Sequence, residues 1–138
     1  MKNTMTRVLL SALLLGAGCS TLHKSDSKAL QGKWEGYEIG RPTQNTCRVV
    51  ISGSNLEFWR ATNDWCKGTF TLREDANPKQ LIGVMNECDD PQYVGKTIRA
   101  IYRIEANTLT LAGSAPGSAE APAGFEADGC RKLVLKKQ

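Results

Sequence analysis

The chain has 138 residues, with 18 Lys and Arg against 14 Asp and Glu. That length suits one small domain with a short extension. The near balance of charge argues against nucleic acid or an acidic polymer as partner.

The first segment in chain order, residues 1–18, has the layout of an export signal. Lys2 and Arg7 form a positive n-region, Val8 to Leu15 form a short apolar run, and Gly16, Ala17 and Gly18 follow. The run is too short to span a bilayer, which takes about 20 apolar residues. The stretch "GAGC" resembles the lipobox of bacterial lipoproteins, with Ala17, Gly18 and Cys19 matching and Gly16 standing where a branched apolar residue is usual. The resemblance implies cleavage before Cys19, acylation of that cysteine and attachment to a membrane; ordinary secretory cleavage is the alternative. By the same resemblance, Ser20 after the cysteine implies the outer membrane, facing the periplasm, and several acyl chains make a stable anchor.

Residues 19–29 are polar and aperiodic, and read as a tether. Without the leader the chain carries sixteen basic and fourteen acidic groups. One domain is then expected over residues 30–138, containing Cys47, Cys66, Cys88 and Cys130. In an exported chain four cysteines most simply make two disulfides. The paired C-x-x-C knuckles of a four-cysteine zinc site are absent.

From residue 32 onward apolar and polar residues alternate with a period of two between turn residues. The predicted strands are "GKWEGYEI", "TCRVVISG", "LEFWRA", "CKGTFTLRE", "QLIGVMNEC", "TIRAIYRIE", "TLTLAGS" and "CRKLVLKK". No segment carries a helical stripe. Eight short strands in series predict an all-β, eight-stranded up-and-down antiparallel barrel, which closes to remove exposed edges. Its inward face takes Val49, Ile51, Leu56, Phe58, Phe70, Leu72, Ile82, Val84, Ile98, Ala100, Leu109, Leu111, Leu133 and Leu135.

The fourth and fifth strands allow a register to be read. A turn centred on Asn77 places Phe70 opposite Val84, Leu72 opposite Ile82 and Cys66 opposite Cys88. Directly opposed residues have Cβ atoms about 4.5–5.5 Å apart, close to what a disulfide needs. With Cys66–Cys88 assigned, Cys47–Cys130 remains. In a meander all four cysteines fall at one end of the barrel.

That end also collects Trp65, Asp89, Asp90, Tyr93 and the segment from Ala115 to Gly129. A connection of that length in a tight meander is unusual and often functional, and it reads as a lid with Phe125 as its one large apolar residue. The single histidine, His23, lies in the tether, so a Ser-His-Asp or Cys-His arrangement is not expected. No nucleotide-binding loop or nucleophile elbow is present, and Glu87, Asp89 and Asp90 match no dedicated cation loop. Neither an enzyme nor a cofactor is therefore expected.

"LQGKW" at the first strand resembles the G-x-W start of lipocalin-type barrels, with Gly32 and Trp34. Together with "GTFTL", "NPKQL", "YRIEANTLTL", "APG" and the terminal "LVLKK", it resembles a small lipocalin-like domain of planctomycete proteins. The resemblance implies the barrel and no particular activity. The four cysteines and Ala121 before Pro122 depart from that pattern. An eight-stranded barrel is filled by its own side chains or holds one small ligand. Two functions follow: a binder of a small apolar ligand, with Phe58, Phe70 and Tyr102 lining a cavity and Trp65, Tyr93 and Phe125 at its rim; or a protein-binding envelope module, such as a hydrolase inhibitor or immunity-type lipoprotein.

Overall fold

The structure, a computed structural model, describes residues 25–40 and 45–138. The expected leader, the lipidation site Cys19 and the first part of the tether lie outside the described residues. A short helix α1 (Asp26–Leu30) precedes eight strands: β1 (Gly32–Glu38), β2 (Thr46–Ser52), β3 (Asn55–Arg60), β4 (Trp65–Arg73), β5 (Gln80–Cys88), β6 (Thr97–Glu105), β7 (Thr108–Gly113) and β8 (Arg131–Lys137). Each strand pairs antiparallel with the next, and β8 returns to β1, so the sheet closes into the expected barrel. The alternation in the sequence places each strand within a residue or so of its predicted limits, because one face of every strand must meet the common interior.

The two ends differ. One is closed by the tight turns after β2, β4 and β6 and by α1. Its Leu30 is fully buried, and the indole Nε1 of buried Trp34 donates to the Leu30 carbonyl at 2.8 Å. The Gln31 side chain exchanges two hydrogen bonds with the Gly53 backbone, tying α1 to the β2–β3 turn. Residues 26–29, read from sequence as tether, are thus part of the floor. Five residues are too few to leave a helical period in the sequence.

The β4–β5 hairpin follows the predicted register only at its cystine end. Cys66 faces Cys88 and Lys67 faces Glu87, but Gly68 then faces Met85 across a β-bulge, and every later pair is shifted by one. Phe70 therefore meets Gly83, and Leu72 meets Leu81. One extra residue reverses the facing of everything beyond it. Ile82 and Val84, expected inside, point outward, and Val84 is 41% exposed. Gly68 permits the irregularity: a Cβ there would lie 1.9 Å from the Val84 carbonyl oxygen.

The disulfide Cys66–Cys88 is formed, whereas Cys47 and Cys130 are free thiols. Register explains why the expected Cys47–Cys130 bond is not made. Cys47 faces Gly36, and Gly36 faces Leu135, five residues along the chain from Cys130. Five extended residues cover roughly 16 Å, while bridged cysteines have Cα atoms within about 7 Å. The Cys130 thiol instead donates to the Ala127 carbonyl at 3.0 Å.

The segment between β7 and β8 lines the barrel's cavity with Ser114 and Pro116 but does not lay Phe125 across the mouth. Ile101 and Ala112 are neighbours on the outer face of β6 and β7, yet both are fully buried. The segment folds over them: the Phe125 ring packs on the outward-facing Arg103 guanidinium at 4.7 Å, and Glu126 pairs with Lys132. An apolar strip on the outer wall needs cover, and this connection supplies it. Its first residues, Ser114 to Gly117, continue along β6 through Ser114 N–H to Arg99 O and Gly117 N–H to Thr97 O.

Candidate functional site

The barrel interior is not filled. A cavity of about 170 Å³ lies between the core and the open end, with Phe58, Phe70, Leu81, Ile98, Leu111 and Leu133 among its walls. It exists because three inward positions on successive strands carry almost no side chain: Gly83 on β5, Ala100 on β6 and Gly113 on β7, all lining it. Below it Trp34, Tyr102, Leu109 and Leu135 pack solidly onto the floor. A dry apolar cavity of roughly 150 Å³ holds a benzene-sized molecule.

The mouth has two chemically different sides. On β4 and β5 it is lined by Cys66 and Met85, and the Met85 Sδ lies 3.6 Å from the Cys88 Sγ. Around the rest of the rim alternation turns Arg131 of β8, Glu38 of β1, Cys47 of β2 and, next to β4, Arg60 of β3 inward. Arg131 Nε lies 3.4 Å from the buried Glu38 carboxylate. Arg60 lies over the Phe58 ring at 5.5 Å and reaches Asp64 at 3.9 Å. Burial, with the Glu38 charge beside it and Arg60 only partly offsetting, pushes the Cys47 thiol up to about 11. It is therefore a protonated, apolar part of the wall at neutral pH.

Of the residues expected at the site, Phe58 and Phe70 line the cavity. Tyr102 belongs to the floor, where its hydroxyl donates to the Asp26 carboxylate at 2.9 Å, a group that Lys79 also meets at 2.8 Å. Burial works against the Asp26 charge, but those hydrogen bonds and the Lys79 charge outweigh it and hold the carboxyl below its usual range. Trp65 faces outward and stacks on Trp59 at 5.7 Å, with Lys67 near both rings and Arg48 over Trp59. Tyr93 sits in a 3-10 turn, Pro91–Tyr93, beside Lys96, and Phe125 lies on the outer wall.

No protein-family model and no curated protein matches the chain. The likeness to lipocalin-type domains is therefore one of architecture. The barrel, with an interior cavity at one end, is a shape that suits binding of a small molecule. Among the described residues no group of three His, Cys, Asp or Glu side chains is placed to hold a metal ion.

Arg60, Arg131, Gly83 and Met85 are the site residues that the sequence reading missed. The arginines are signalled by position: each stands at the mouth end of a strand, in phase with the inward apolar residues Phe58 and Leu133. Gly83 and Met85 were hidden by the bulge.

Proposed function

We propose that this protein is a lipid-anchored lipoprotein of the cell envelope whose barrel binds a small apolar ligand without transforming it. The observation that carries the binding reading is the apolar cavity behind a mouth braced by Cys66–Cys88. Bulk hydrophobicity favours entry of an apolar molecule, and small residues leave it room at little cost in packing. The described chain begins at Ser25, beside the closed end, six residues after Cys19. An acyl anchor at Cys19 would then lie on the closed side, leaving the mouth to face away from the bilayer. The outer membrane, facing the periplasm, is the location that Ser20 favours.

The protein-binding alternative relied on a freely presented loop after β7. That segment is held to the outer wall by Phe125 on Arg103 and Glu126 on Lys132, so the cavity is the better-supported site.

Gly83→Val tests the reading. A Cβ at Gly83 meets only ordinary contacts, 3.5 Å to Thr69 O and 3.9 Å to Phe70 Cβ, and Val suits a strand. Native mass spectrometry of protein from the periplasm is expected to show a small molecule riding with wild type and lost from the folded variant. A wild-type protein that stays bare, and takes up no aliphatic probe, would overturn the reading.

A further inference from the structure

The cavity is apolar, but charged side chains turn into its mouth. Arg60 is the group to explain. Its Nε is enclosed yet has no hydrogen-bond partner among the described residues. Its ion pair with Asp64 is long, at 3.9 Å, and that carboxylate is 54% exposed. An enclosed guanidinium N–H without an acceptor is costly. Arg131, also at the mouth, is engaged by Glu38. Among the described residues Arg60 and Arg131 thus turn into the mouth together with Glu38, above walls that are almost entirely carbon.

We infer that the ligand is an amphipathic monocarboxylate, its aliphatic tail in the cavity and its carboxylate on Arg60 at the mouth. This rests on the binding reading above and adds the headgroup to it. The cavity takes a tail of roughly six carbons and Arg60 lines it, so an eight-carbon acid is a probe long enough to fill it. The guanidinium fork suits a carboxylate, and the low surrounding polarity strengthens the pairing. A neutral alcohol of the same length gains the tail burial alone. A dianion would meet Glu38 with its second charge.

The test compares octanoate with 1-octanol by calorimetric titration of the purified protein at pH 7. Octanoate is expected to bind roughly tenfold to a hundredfold more tightly, the range that one charge-assisted hydrogen bond supplies. In Arg60→Gln, checked for an unchanged melting profile and an intact disulfide, octanoate should fall to the affinity of octanol while octanol is unchanged. Equal affinities in wild type would overturn the carboxylate inference and leave the apolar binder standing. A preference that survives in Arg60→Gln would overturn the role of Arg60. Failure of both probes to bind, at concentrations up to their solubility, would remove the binding reading itself and the headgroup with it.

Discussion

At the scale of single residues, the molecule's two ends turn on two ionisable groups. Asp26 anchors α1 to the barrel by accepting from Tyr102 and Lys79, and its carboxyl is held below the ordinary range. A depressed acid stabilises the fold above the unfolded-state pKa, near 3.9, and loses that contribution as pH falls through the folded value. Asp26→Asn should therefore cost about 1 kcal/mol at pH 7, a figure kept small because Lys79 is 38% exposed and water screens the pair. The difference should shrink as pH falls below the ordinary carboxylate range, and urea unfolding of both proteins from pH 7 downward checks it. At the other end, Cys47 is buried and its thiol titrates near 11. Iodoacetamide at pH 8 should label half-buried Cys130 in the native protein and spare Cys47, with both labelled after denaturation. Peptide mapping would show the difference, and an unlabelled denatured Cys47 would contradict the free thiol.

At the scale of elements, the β4–β5 hairpin shows how much a repeating pattern can and cannot say. Paired cysteines and a central turn identified the partners, and Cys66 does face Cys88. The bulge at Gly68 then exchanged Leu81, Gly83 and Met85 for Ile82 and Val84 on the inner face. Both sets are largely apolar, so "QLIGVMN" reads equally well in either phase. What chooses between them is the close backbone approach that only Gly68 allows. The disulfide closes this hairpin over a separation of 22 residues. Chain entropy gives such a loop roughly 3 kcal/mol. Replacing both cysteines by Ala should lower stability by about that amount in denaturant titrations while the barrel's circular dichroism is kept. A loss well under 1 kcal/mol would show that the mouth is braced by packing instead.

The floor and the outer flap make the same point from irregular segments. Helix α1 is held by Leu30, Gln31 and Asp26 acting on turns that are far away in sequence. The flap after β7 is rich in Ala, Gly and Pro and has no period; its place is fixed by Phe125 on Arg103 and by the apolar strip beneath it. Neither contact has a local signature, because each joins residues that only the closed barrel brings together.

At the scale of the whole molecule, closing the sheet creates an interior with a solid half and a hollow half. Trp34, Tyr102 and Leu135 fill the half over α1, and Gly83, Ala100 and Gly113 leave the half at the mouth empty. This polarity sets α1 at the closed end and the cavity at the open one. Removing the cavity by Gly83→Val and removing the charge by Arg60→Gln thus separate two properties of one site.

By itself the sequence determined the strands, their number, their meander order and the Cys66–Cys88 pair. Period-two alternation and turn residues are local, and eight such strands have few ways to bury one face each. Only the tertiary structure decided what lies inside. The bulge at Gly68 set which face of β5 looks inward, the shift between β1 and β8 kept Cys47 from Cys130, and the apolar strip on β6 and β7 drew the flap onto the wall. Each of these depends on how far one strand is displaced along its neighbour, a distance that no single strand's residues encode.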